Sequence, residues 1–133
     1  QFGLRVLRLV DELPGSQVNR RLGDQLIRCG TSVGANYRAA CRGRSRAEFL
    51  SKLGDVEEEA DETCFWLELL IDRAAVKPHR IEALLAEARE ITAIMVSSRR
   101  TTAKNSAEMA RDASPAGSEP GRLDQKSQIK NCK

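Results

Sequence analysis

The sequence predicts an all-α fold, an antiparallel up-down-up-down four-helix bundle, and three observations carry that prediction. Leu, Ala, Arg and Glu dominate the 133 residues while aromatics make up only 4%, a composition that favours helix over sheet. Apolar residues recur at three- and four-residue spacing through four successive stretches, the period of an amphipathic helix. Short connections marked by Pro14-Gly15, Gly43 and Pro78 separate those stretches, and short links make consecutive helices antiparallel neighbours. A chain of this length fits one domain and can bury a core without metal or disulfide staples. A three-helix bundle with a loose N-terminal arm is the structural alternative.

The first helix is short: Leu4, Val6, Leu7, Val10 and Leu13 share the helical period and Pro14-Gly15 ends the run,. Ser16 is placed to cap the second helix, its hydroxyl accepting from an otherwise orphaned backbone N–H,. That helix, roughly residues 17 to 42, sets Val18, Leu22, Leu26, Val33, Tyr37 and Ala40 in one arc at ~100° per residue,. Gly23, Ile27, Gly30, Gly34 and Cys41 lie beside it. Each helical glycine costs about 1 kcal/mol relative to Ala, so a neighbouring helix is expected to approach closely over this flat surface.

Ser45-Arg46-Ala47-Glu48 is a capping box that opens a third helix, roughly 46 to 74, with Phe49, Leu50, Leu53, Val56, Ala60, Cys64, Leu67, Leu70 and Ile71 along its inner side,. Pro78 suits the first turn of a fourth helix that runs to about Thr102, burying Ile81, Leu84, Leu85, Ala88, Ile91, Ile94 and Met95,. The bundle therefore occupies residues 1–103. From Lys104 the apolar period stops, and Ser114-Pro115-Ala116-Gly117-Ser118-Glu119-Pro120-Gly121 has a flexible composition, so residues 104–133 read as a disordered polar tail,.

Charge is patterned more strongly than the net value of +3 suggests. Ser16–Arg46 carries Arg20, Arg21, Arg28, Arg38, Arg42, Arg44 and Arg46 against one acid, Asp24, a local net of +6. Ala47–Ala75 carries nine acids against Lys52 and Arg73, a local net of −7. A basic helix face suits phosphate, and these seven arginines are the candidate nucleic-acid-binding residues. In the competing reading they pair with the acids of helix three, within or between subunits, in a protein–protein assembly module. Gln25, Ser32 and Asn36 form a polar stripe within about 40° on helix two,. A carboxylate from helix three, Glu62, is its expected partner, in a network that sets helix register rather than a catalytic site.

Enzyme chemistry finds no foothold. His79 is the single histidine, and no Glu-x-x-His pair, close Cys/His spacing, phosphate-binding loop or Ser-His-Asp set is present,. Neither a cofactor nor a metal site is expected. Cys29, Cys41, Cys64 and Cys132 form no C-x-x-C pair and read as reduced, mostly buried thiols,. No apolar stretch approaches membrane-span length and no signal-peptide block is visible,, so a cytoplasmic location and no membrane partner are expected. The first residue is Gln1, and residues preceding it are an open question.

The run Gln25-Leu26-Ile27-Arg28-Cys29-Gly30-Thr31-Ser32-Val33-Gly34-Ala35-Asn36 resembles a signature of the 23S rRNA intervening-sequence proteins, a four-helix-bundle family. Ser45-Arg46-Ala47-Glu48-Phe49-Leu50 and Glu59-Ala60-Asp61-Glu62-Thr63 are similar to it too, and the resemblance covers about residues 2 to 102. Where that family continues Ile-Ala-Glu-Gly, this chain reads Tyr37-Arg38-Ala39-Ala40, losing an acid and gaining an arginine. The resemblance implies a non-enzymatic homo-oligomer, with a pentameric ring favoured. It also implies RNA or DNA as partner, or a nucleic-acid enzyme such as a reverse transcriptase, by similarity to the accessory protein of diversity-generating retroelements.

Overall fold

A computed structural model describes residues 1–113, and the four helices are α1 Phe2–Asp11, α2 Gln17–Ala40, α3 Arg46–Asp72 and α4 Pro78–Asp112. Among the described residues there is no strand. α3 packs extensively on both α2 and α4, α1 lies on α2 and touches α4 lightly, and the diagonal pairs are held apart by the core. Val6, Leu26, Leu53, Leu67, Leu70 and Ile81 are its most deeply buried side chains.

Local chemistry explains the boundaries. Ser16 Oγ accepts from Asn19 N–H and Ser45 Oγ from Glu48 N–H, so both expected N-caps form. The return half of the Ser45 box reaches one residue further back, because Glu48 Oε2 accepts from Arg44 N–H at 2.8 Å. Pro78 occupies the first turn of α4, where its missing N–H costs nothing. α3 ends in a Schellman turn: Ala75 N–H donates to Leu70 O at 3.1 Å and Ala74 N–H to Ile71 O at 2.8 Å,. That turn holds Ala74 at φ 52°, a left-handed conformation that ordinarily favours glycine,.

α1 is about 15 Å long against about 36 Å for α2, so it covers only part of its neighbour. A Cβ on Gly30 would lie 2.8 Å from Val6 Cγ2, and one on Gly23 would lie 2.8 Å from Val10 Cγ1. Close approach over small residues therefore holds for Gly23 and Gly30. It does not hold for Gly34, which has nothing within 4 Å. Tyr37 and Ile94, expected in the core, are half exposed. Val18, also assigned inward, is exposed at the first turn of α2.

α4 differs most from expectation. It continues past Thr102 to Asp112, so residues 104–112 are helical rather than tail. The segment is rich in good helix formers, Ser106 Oγ donates to Thr102 O at 2.9 Å, and Lys104 faces Glu108 at 3.8 Å,. A solvated overhang needs no apolar stripe, so its missing periodicity signalled exposure rather than disorder. The remainder of the expected tail lies outside the described residues.

Candidate nucleic-acid interface

The seven candidate arginines separate into three environments. Arg28 is clamped: Nη2 donates to Glu62 Oε1, Nη1 lies 3.4 Å from Glu59 Oε2, and Nε donates to Gln25 Oε1 at 3.3 Å. Its hydrogen bond to Glu62 raises its pKa further. Arg20 and Arg21 sit near the start of α2, with Arg21 3.9 Å from Asp24. Arg38, Arg42, Arg44 and Arg46 gather at the opposite end, on the last turn of α2, the α2–α3 connection and the first residue of α3.

Arg20, Arg38, Arg42, Arg44 and Arg46 are exposed and form no ion pair among the described residues. The contrast with the rest of the bundle is sharp. Arg5 bridges to Glu87, Arg80 to Glu12, Arg89 to Glu68 and Arg99 to Glu57, each joining two helices. Within 38–48 the sole acid is Glu48, whose carboxylate caps the connection.

The α4 overhang completes this end. Arg46 Nη1 donates to Met109 Sδ at 3.4 Å, and an open cleft runs between Cys41, Arg44, Arg46 and Phe49 on one side and Thr102 on the other. Gly43 lets the connection close against α3, since a Cβ there would lie 3.1 Å from Ala40 O and 3.3 Å from Phe49 N. The overhang was missed because it carries no apolar repeat; the run of helix formers after Thr102 was the available signal.

The expected polar network forms in a different shape. Gln25 and Glu62 are joined through Arg28, and Glu62 Oε1 also accepts from Trp66 Nε1 at 3.0 Å. Arg28 and then Trp66 hold the Glu62 carboxyl below the usual carboxylate range. Burial pushes the neighbouring Glu59 carboxyl up, against the pull of Arg28. Ser32 and Asn36 are half-buried and take no part in this cluster. In the layer beneath it, Thr63 Oγ1 meets Cys29 Sγ at 3.2 Å, and burial raises the Cys29 pKa. Cys64 is buried as well, whereas Cys41, expected to be a core thiol, is exposed at the end of α2.

Among the described residues no group of three His, Cys, Asp or Glu side chains is placed to hold a metal ion. No described helix is long and apolar enough to cross a membrane.

Comparison with known proteins places this geometry. No curated protein matches the chain. A crystal structure from Bacteroides thetaiotaomicron, described as a protein of unknown function from the S23 ribosomal protein family, is similar at 36% identity with a TM-score of 0.69. The match covers 74% of this chain and 91% of that one. The family model described as 23S rRNA-intervening sequence protein matches residues 1–97, nearly the whole bundle. The chain belongs to the 23S rRNA-intervening sequence protein family.

Proposed function

We propose that this chain is a non-enzymatic, homo-oligomeric bundle protein that binds RNA or DNA through its arginine-rich end, as an accessory factor of a ribosome or a reverse transcriptase. The observation that carries the reading is the exposure of Arg38, Arg42, Arg44 and Arg46 at one end without ion-pair partners among the described residues. Guanidinium contacts to phosphate carry no base information, and Tyr37 is the one aromatic on α2 available for stacking, so recognition is by backbone charge. Assembly into a ring multiplies the phosphate contacts by the copy number and steepens the salt dependence.

The test is an anisotropy titration of generic single-stranded RNA at two or more salt concentrations. The double substitution Arg44→Ala/Arg46→Ala is expected to flatten the log–log salt slope by about 1.4 per chain, at about 0.7 for each phosphate no longer neutralised. Absence of binding by the wild-type chain at low salt would refute the reading.

A protein–protein assembly scaffold is the second reading. It is favoured by Arg28, whose charge is taken up inside the chain by Glu59 and Glu62. Assembly without any RNA affinity is its signature.

A further inference from the structure

Where α1 gives way to α2, the chain leaves a cleft of about 480 Å³, walled by Val10, Leu13 and Pro14 together with Asn19, Arg20 and Asp24. Its volume lies in the range of small-molecule sites. It sits at the start of α2, at the other end of that helix from Arg38 and Arg42. Neither the basic end nor the polar cluster around Glu62 uses it.

Asn19 carries an unpaired group into this wall. The residue is only 6% exposed. Its Nδ2 donates to Pro14 O at 2.8 Å, and its backbone N–H donates to Ser16 Oγ at 3.0 Å. Pro14 O only accepts, so flipping the amide would set oxygen against oxygen. The amide is therefore pinned, and Oδ1 is the one buried side-chain oxygen or nitrogen without a partner among the described residues. Thr63, the other buried polar residue, donates to Glu59 O at 2.7 Å and is satisfied. A buried acceptor without a donor is rare and costly in a folded chain.

The neighbouring groups set the chemistry of a partner. Asn19 Oδ1 and the Asp24 carboxylate both accept, which calls for an N–H donor, best a charged one. Arg20 has no ion pair among the described residues, and Arg21 meets Asp24 only at 3.9 Å with both side chains well exposed. Both guanidinium groups are thus open to an anion. No acid occupies the first turn of α2, and the dipole there favours negative charge as well. A phosphate dianion would suit the arginines, but Asp24 repels it and Oδ1 stays without a donor. A simple cation would suit the two acceptors, but the arginines repel it. A molecule with both charges answers all four groups, and Val10, Leu13 and Pro14 offer an apolar wall to its body. We propose that the cleft binds a small apolar zwitterion, a free α-amino acid with an aliphatic side chain. Its ammonium donates to Asn19 Oδ1 and Asp24, and its carboxylate accepts from Arg20 and Arg21. Oδ1 is screened from solvent, so entry shifts the turn at Leu13–Gly15. Gly15 gives that turn room, since nothing lies within 4 Å of a Cβ placed there.

Titrating the full chain with L-leucine, followed by proton–nitrogen correlation NMR, tests the site. The Asn19 side-chain amide and the backbone amides of Gly15 and Asp24 are expected to shift and saturate together. Leucinamide lacks the carboxylate, isocaproate lacks the ammonium and glycine lacks the aliphatic body; each is expected to bind at least about tenfold more weakly. Arg20→Ala changes an exposed side chain without an ion pair, so the fold is kept. It is expected to weaken leucine by about tenfold and to leave the weaker leucinamide affinity as it was. Leucine that moves none of these signals at millimolar concentration would overturn the proposal. Equal affinities for leucine, leucinamide and isocaproate would do so too, as would an Arg20→Ala chain that holds leucine as tightly as the wild type.

Discussion

Substituting the glycines of α2 one at a time separates helix propensity from helix contact. Gly30→Ala gains about 1 kcal/mol of propensity. The new methyl would lie 2.8, 2.9 and 3.1 Å from Val6 Cγ2, Cγ1 and Cβ. Val6 is fully buried, so it cannot swing clear, and overpacking of this kind costs about 1–3 kcal/mol. The net expectation is a loss of about 1 kcal/mol. Gly34→Ala has the same propensity gain and nothing within 4 Å to meet, so it should stabilise by about 1 kcal/mol. The difference between the variants, about 2 kcal/mol, isolates the seat of α1 on α2. Urea unfolding followed by far-UV circular dichroism measures both. Val6→Ala in the Gly30→Ala background supplies a check, because the two changes should compensate and couple by at least about 0.5 kcal/mol. If Gly30→Ala stabilises as much as Gly34→Ala, α1 does not rest on α2 through Val6, and the described packing of the first helix is wrong.

Four further outcomes follow from the same structure. Glu62→Gln should lower stability at neutral pH by about 1 kcal/mol, discounted for partial exposure. The Glu62 carboxyl is depressed in the folded state, so its contribution is present above the unfolded value of about 4.3 and lost as pH falls through the folded one. Glu59→Gln should be neutral or stabilising at neutral pH, since burial raises that carboxyl; equal losses from both variants in a pH-dependent unfolding series would contradict the assignment. Ala74→Gly relieves a left-handed alanine and should raise stability by about 1 kcal/mol, a gain that a lowered unfolding midpoint would disprove. Thiol labelling read by mass spectrometry should modify Cys41 rapidly and leave Cys29 and Cys64 protected in the folded chain; equal rates for the three would mean the core around α3 opens.

The helices were legible where an end carries its own chemistry. Ser16 and Ser45 announce α2 and α3 by local hydrogen bonding and Pro78 announces α4 by its fixed backbone angle, and each of these starts lies within a residue or two of the expected place,. The errors concern length and partner, which local signals do not encode. Tyr37 and Ile94 have the right period for the core, but period alone does not say whether a neighbour covers the position. The α4 overhang lacks an apolar stripe because it has nothing to pack against. At the candidate site, the sequence displayed seven arginines and nine acids without showing which would pair. Arg28 lies level with Glu59 and Glu62 and pairs with both, whereas Arg38, Arg42, Arg44 and Arg46 form no ion pair among the described residues.

That difference in register decides where phosphate would bind. Arg20 and Arg38 share one azimuth on α2, yet eighteen residues set them about 27 Å apart, more than three Debye lengths at physiological salt. With Arg28 neutralised between them, their fields do not add. Arg38, Arg42, Arg44 and Arg46 fall within nine positions on a turn and its connection, close enough to act on one phosphodiester segment together. The basic helix face of the sequence is therefore, in three dimensions, a basic end. On this account Arg20→Ala leaves RNA affinity nearly unchanged, and Arg44→Ala lowers it. Equal effects of the two substitutions on RNA affinity would show that the arginines act as one undivided surface.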